Sequence, residues 1–384
     1  MGDVALILGI RPDVIRASKI IKLIDQFDEF NLDFIWSGQH YSENMKDIFF
    51  NQLNVRKPDY EFDIHGKSDA DIVSSTVTSL YEHFKDHKYK AVIFLGDTNT
   101  VMGAIAAAQH NIPIIHIEGC MRSYDWRMPE EKYRTIVDHL SDRIYAYLDS
   151  YKTQGINEGI GESRIVVTGN PIVDIIFENR HLFTKGEDLL EDSVKAIVKE
   201  KNYVLATCHR RENILDVDSL DSIVSLMNSI EDKIIFPMGY KTQEQLSKLQ
   251  IEINENVHIV DPIGYIEFMY LLENSKYVIS DSGTVIEEAC ILGTPSIQMR
   301  KSTERPEVYD VGASVKFDPT RKNDNKKIVS EVIKLGGAKW ENPFGDGTAS
   351  ETIAKDIRSM YLDDSFHRHD RKDYPFNTDR SYMS

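Results

Sequence analysis

The chain has 384 residues, 41% of them hydrophobic and 28% charged, with a formal charge of −17. That length exceeds one ordinary core and suggests two domains of a globular, soluble class. The acidity argues against nucleic acid or an anionic membrane as the main partner. Three separated cysteines, Cys120, Cys208 and Cys290, offer neither a disulfide framework nor a zinc spacing. The start MGDVALILG lacks the basic opening of a signal peptide and no apolar run approaches a membrane span, so a cytoplasmic protein is expected.

Apolar, β-branched runs at 4–9, 32–36, 91–96, 112–117, 143–147 and 164–169 read as parallel strands buried on both faces. Helical patterns lie between them, the first opening at Pro12 and carrying Ile15, Ile20, Leu23, Ile24 and Phe27. The alternation repeats with strands at 203–207, 233–237, 257–260, 277–280, 294–299 and 313–317. Two such series predict an α/β protein of two Rossmann-like, doubly wound domains with a central cleft. The expected boundaries are 1–172 and 173–354, with a hinge near 170–177 after the GNP tripeptide. A last helix should run from Asp346-Gly347 to about Leu362, and the segment from about 355 to 384 should return to the first domain. Residues 184–202 read as a solvated outer helix. The pair His367-x-His369 is not read as a metal site, because no third ligand has suitable spacing nearby.

In an open parallel sheet, ligands bind beyond the carboxyl ends of the strands. The first strand runs into Gly9-Ile10-Arg11-Pro12, which brings a guanidinium and a helix start together and suits an anion; a plain turn with a surface arginine has the same pattern. No GxGxxG follows any strand and GxxxxGK[ST] is absent, so nicotinamide and P-loop chemistry lose their usual fingerprints and no cofactor is expected. Asp97 follows the strand at 91–96, either as a helix cap or, if Thr98 or Asn99 caps instead, as a cleft carboxylate. Beyond 112–117 comes HIEGCMRSYDWRMPEEKYR, which crowds Glu118, Glu130 and Glu131 among Arg122, Arg127 and Arg134. Glu130 and Arg134 are four apart on one helix and can pair.

In the second series, Cys208-His209-Arg210-Arg211 makes a cationic rim at a strand end. Asp281-Ser282-Gly283-Thr284 opens a helix whose N–H groups suit a phosphate, and Glu288 on that helix suits the hydroxyls of a ribose. Arg305 follows another strand. Anion donors in both halves and acids in the first suggest a nucleotide-sugar site.

These motifs carry a resemblance. GIRPD, SGQHY, GDTNT, HIEGCMRS, PEEKYR, GNP, CHRRENI, DSGTVIEEA, TERPE and PFGDG together resemble the non-hydrolysing UDP-N-acetylglucosamine 2-epimerase family over most of the chain. The resemblance implies a glycosyltransferase-B-like fold, a homodimer, a UDP-sugar substrate, and elimination of UDP to 2-acetamidoglucal followed by re-addition with inverted C2. The C2 proton is not acidic until the C1–O bond begins to break, so carboxylates must stabilise the cation and one must take the proton. On this reading the glutamates serve the sugar, and the arginines orient them and hold the diphosphate. By matched position, Asp97, Glu118, Glu130 and His209 resemble the catalytic group. Arg11, Arg134, Ser282, Gly283 and Glu288 resemble the substrate contacts, and Phe268 the residue whose backbone meets uracil.

The family's HLNP, whose histidine contributes to an allosteric site in many members, is here Gly239-Tyr240-Lys241-Thr242; Gln39 and Arg210 remain as regulatory candidates. The stretch RSYDWRMPEE and DSGT in place of DSGG resemble a sister group that epimerises 6-deoxy UDP-N-acetyl-hexosamines. A UDP-sugar-dependent glycosyltransferase on the same fold is the alternative from another enzyme class.

Overall fold

The computed structural model describes residues 2–38, 50, 52–64, 66 and 68–367, the side chain of Arg11 excepted; Gln39 and His369 lie outside the described residues. The chain forms two compact units, one made of residues 1–177 and 344–384, the other of residues 178–343. The sequence placed these divisions at 172/173 and 354/355.

The first unit holds a seven-stranded sheet of β1 (Val4–Leu8), β2 (Leu32–Trp36), β3 (Tyr60–Glu61), β4 (Ala91–Leu95), β5 (Ile114–Ile117), β6 (Arg143–Ala146) and β7 (Ile165–Val167). Their order is β3-β2-β1-β4-β5-β6-β7, and every pairing is parallel. β1, β2 and β4 are buried at every position, which is why each reads as an unbroken apolar run rather than an alternation. β3 was not foreseen: it is two partly exposed polar-edged residues beside Ile35 and Trp36, too short to show a period.

The second unit holds a six-stranded parallel sheet of β8 (Tyr203–Thr207), β9 (Lys233–Pro237), β10 (Val257–Val260), β11 (Val278–Ser280), β12 (Ser296–Met299) and β13 (Ser314–Phe317). Its order is β10-β9-β8-β11-β12-β13. The strand order therefore reverses between β1 and β4 in one sheet and between β8 and β11 in the other. These are the switch points at which doubly wound sheets take ligands.

Residues 184–202 are not one solvated helix. They form two short ones, Gly186–Leu189 and Asp192–Lys199. The second buries Val194, Ile197 and Val198, a spacing of three and four that makes one apolar face. The proposed hinge segment lies in a continuous helix, Pro171–Phe183.

Within the first unit, the GNP turn meets the PFGDG motif. The Asn170 N–H donates to the Phe344 carbonyl at 2.8 Å. Gly169 has φ +82, and a Cβ there would stand 3.3 Å from the same oxygen. Asp174 accepts from the N–H groups of Ala349 (3.2 Å) and Ser350 (2.8 Å), capping the helix Ala349–Leu362. That helix belongs to the first unit, where Asp356 accepts from Tyr145 at 2.8 Å and Tyr361 stacks on Phe30. Among the described residues, no helix is long and apolar enough to cross a membrane.

Candidate functional site

The turns after β1, β4 and β5 bring a set of buried charges together. On the first helix, Arg11–Ile24, the inward stripe carries Asp13 and Arg16 along with Ala17, Ile20 and Ile24, all at most 4% exposed. Arg16 bonds Asp13 at 2.9 Å and pairs with Glu118. Glu118 also accepts the Tyr147 hydroxyl at 3.0 Å. Its backbone has φ +76, a left-handed conformation that costs a non-glycine residue on the order of 1–3 kcal/mol and that clusters at functional sites.

Asp97 leaves β4 and pairs with Arg134. Thr98, not Asp97, occupies the cap position of the following 3-10 turn, Asn99–Gly103, so Asp97 is not spent as a cap. Arg134 is 1% exposed and also bonds Glu131 at 2.8 Å. Glu131 in turn accepts from the Ser123 hydroxyl (2.9 Å) and the N–H groups of Ser123 (3.0 Å) and Tyr124 (2.8 Å), which ties the charged loop to the helix Pro129–Leu140. Glu130, the neighbour on that helix, is only half-buried in its first turn.

Arg122 and Arg127 are not set aside for a diphosphate. Arg122 is committed to Asp138 (2.7 Å) and Glu158 (2.7 Å), and Arg127 to Asp125 (2.6 Å). Local neutralisation explains why they sit among so many acids.

Burial pushes Asp13 up to about 6, against the pull of Arg16 and with help from the neighbouring Asp97. A carboxyl raised in the folded state contributes stability that is full below its unfolded value and is lost as pH rises through about 6. Asp13→Asn, which keeps the acceptor for the Ile10 N–H (3.3 Å), should therefore gain on the wild type between pH 4.5 and 7.5. The expected relative gain is ~2 kcal/mol in urea unfolding. Parallel stability curves for the two proteins would show that Asp13 does not titrate in this window.

The second unit's switch point is organised by Asp281, which is fully buried at the end of β11. Its carboxylate accepts from the N–H groups of His209 (3.0 Å) and Arg210 (2.9 Å) and from the Asn213 amide (3.2 Å). The His209 ring places Nδ1 at 3.3 Å from the same carboxylate and is otherwise exposed. Arg210 also lies 3.6 Å from Glu212. Ser282 caps the helix Gly283–Leu292 by accepting from Val285 at 3.4 Å. Gly283 opens that helix against Arg305, whose Nη1 would be 2.4 Å from a Cβ there. Glu288 is buried one turn on, beside Tyr265, whose phenol is raised well above its ordinary value by burial and by that carboxylate. Phe268 lies on the helix Tyr265–Asn274 with its N–H given to the Gly264 carbonyl at 3.0 Å, which leaves that N–H unavailable to a base.

The structure thus gathers Asp97, Glu118 and Arg134 in one unit, with Glu130 on the same helix as Arg134, and His209, Arg210, Ser282, Gly283 and Glu288 in the other. Sequence reasoning passed over Asp13, Arg16 and Tyr147, and it named Glu131 and Asp281 within their motifs without foreseeing their partners. Two of them left a signal: Asp13 and Arg16 occupy the apolar stripe of an amphipathic helix, where an unpartnered charge would not be tolerated. Among the described residues, no cluster of histidine, cysteine or carboxylate groups could hold a metal.

A family model described as UDP-N-acetylglucosamine 2-epimerase matches residues 22–358. The chain belongs to that family. It is 36% identical over 364 residues to a UDP-N-acetylglucosamine 2-epimerase of Methanococcus maripaludis, covering 92% of this chain and 97% of the relative. It is 32% identical over 366 residues to a UDP-2,3-diacetamido-2,3-dideoxy-D-glucuronate 2-epimerase of Pseudomonas aeruginosa, covering 92% and 99%. The crystal structure of the Methanocaldococcus jannaschii UDP-GlcNAc 2-epimerase in complex with UDP-GlcNAc and UDP matches with a TM-score of 0.84 at 33% identity, covering 93% of this chain and 99% of that one. The fold is the two-domain, glycosyltransferase-B-like one of these epimerases.

Proposed function

We propose that the protein interconverts UDP-N-acetylglucosamine and UDP-N-acetylmannosamine without hydrolysis. The observation that carries this reading is the pair of carboxylates at the ends of adjacent strands, Asp97 after β4 and Glu118 after β5, each held by a buried arginine. An arginine partner keeps a carboxylate ionised, and an oxocarbenium-like sugar needs negative charge on its face.

Glu118 is buried and doubly held, which suits a fixed electrostatic role. Asp97 and Glu130 retain more access and suit the proton transfers. One of them takes the C2 proton as the C1–O bond breaks, and the bond's electron pair leaves with UDP. The electrons of the C2–H bond become the C1–C2 double bond of the glycal. Protonation on the opposite face of C2 and return of UDP to C1 complete the inversion. The nucleotide falls to the second unit. There the helix start at Ser282-Gly283 meets the diphosphate and Glu288 the ribose, while His209, steadied by Asp281, keeps the place in the catalytic group, and Arg11 the place among the substrate contacts, that the family resemblance gives them. The family resemblance adds a homodimer, while a cytoplasmic location and the lack of a cofactor remain expectations of the sequence reading.

The test is incubation with UDP-N-acetylglucosamine alone in deuterated water. Deuterium at C2 together with UDP-N-acetylmannosamine is expected. No exchange in the absence of an acceptor would point to the glycosyltransferase, and free N-acetylmannosamine to hydrolysis. Faster exchange with a 6-deoxy UDP-N-acetyl-hexosamine would move the substrate to the sister group.

A further inference from the structure

A second buried network is built around the turns that carry the Asp97 and Glu118 carboxylates. At its centre is Asp138, near the end of the helix Pro129–Leu140 and fully buried. It accepts from three sides: His116 Nδ1 (2.7 Å), the Cys120 N–H (2.9 Å) and Arg122 Nη1 (2.7 Å). Arg164 meets the Asp138 backbone carbonyl at 3.2 Å, and Glu158 takes the other side of Arg122. Burial alone would raise the Asp138 carboxyl, but His116 and Arg122 hold it below its ordinary value.

His116 is fully buried on β5, and its other ring nitrogen, Nε2, lies 2.8 Å from the Gly96 carbonyl. A carbonyl oxygen only accepts, and so does an ionised carboxylate. Each ring nitrogen must then carry a hydrogen, and the ring presents a donor at both ends. It spans from the Asp138 carboxylate to the peptide that leads directly into Asp97. Gly96 itself has φ +82, so the orientation of this peptide is not set by ordinary strand geometry. The same carboxylate, through the Cys120 N–H, fixes the turn that carries Glu118; Cys120, like Glu118, is left-handed, at φ +63. Gly119 lies against the pair so closely that a Cβ would stand 2.7 Å from Asp138 Oδ1 and 3.2 Å from His116 Nδ1.

We propose that His116 and Asp138 are positioning residues for the epimerisation, joining the Asp97 turn to the Glu118 turn through a doubly donating imidazole. This rests on the reading of Asp97 and Glu118 as the groups that work on the sugar. A misplacement of about 1 Å in such groups can cost roughly 10²-fold in rate, and the network is built of first-unit residues, whereas the nucleotide is assigned to the second.

Two substitutions separate the ends of the ring. In His116→Gln the side-chain amide N–H can take the place of Nε2 and keep the bond to Gly96. In His116→Asn it can take only the place of Nδ1, so the Asp138 bond survives and the Gly96 bond is lost. The Asn variant is expected to lose roughly 10²-fold in kcat, with KM for UDP-N-acetylglucosamine and UDP affinity within about two-fold of wild type, while the Gln variant recovers most of kcat. A purely structural role would instead lower the melting temperature and kcat of both variants together. Nitrogen NMR of histidine-labelled wild type, with the His116 signals assigned by their loss in the Asn variant, should show two protonated ring nitrogens at pH 7.5. One unprotonated ring nitrogen, or an Asn variant with wild-type kcat, overturns the proposal. If wild type itself fails to exchange deuterium at C2, the functional reading fails instead, and the NMR result stands apart from it.

Discussion

Glu118→Gln is expected to fold normally and to lose turnover by ~10²–10⁴-fold, which is about 3–5.5 kcal/mol of transition-state stabilisation. The amide has the shape of the carboxyl and can still accept the Tyr147 hydroxyl. Arg16 keeps Asp13 at 2.9 Å as its counter-ion, so the substitution strands no buried charge. What disappears is the negative charge that the sugar requires as C1–O breaks. Glu130→Gln should fall as far for a different reason, since a half-buried carboxyl in the first turn of a helix is placed to exchange protons rather than to hold a field. Turnover is read by epimer formation and folding by thermal melting. If both variants keep near-wild-type turnover with normal melting, the acids are structural and the elimination mechanism is wrong.

The legible part of this molecule is the part whose cause is local. β1, β2 and β4 are buried on both faces, so each announces itself as a run of apolar residues. Strand ends in a doubly wound sheet point at ligands, so Asp97, Glu118, His209 and Ser282 stood out as candidates by their place in the chain, and the family resemblance supplied the roles proposed for them. The partners could not. Asp138 meets His116 across 22 residues and the Cys120 N–H across 18, and Asp281 meets His209 across 72. No period or turn signature records such pairings. His116 was hidden further by its setting, since one histidine within IPIIHI does not disturb a strand pattern. The charged stretch after β5 shows the same limit from the other side. Its composition proclaimed a site, yet Arg122 and Glu131 mostly hold the loop and helix together, through partners that no local pattern records.

Arg305→Met is expected to destabilise the protein by about 3–5 kcal/mol, more than any surface substitution would. Four charged side chains are packed out of water in the second unit, with Glu287, Glu304, Arg300 and Arg305 between 0% and 4% exposed. Arg305 bonds Glu287 at 2.6 Å and Glu304 at 3.2 Å. Glu304 has a second partner in Arg300 at 2.7 Å. Glu287 is placed worse, because its Oε2 has no hydrogen-bond partner among the described residues. Methionine fills much of the arginine's volume, so the cost comes mainly from a buried carboxylate left without its cation rather than from a cavity. The control follows from that cause. Adding Glu287→Met removes the stranded charge and should restore most of the lost stability, a coupling that independent sites would not show. UDP affinity should not recover with it. The Arg305 guanidinium lies against Gly283 at the helix start assigned to the diphosphate, and the double variant still lacks that positive charge. Urea unfolding and calorimetry with UDP report the two quantities separately. A single variant that loses less than ~1 kcal/mol, or a double variant no more stable than the single one, would mean that Glu287 finds another partner and that Arg305 is not its counter-ion.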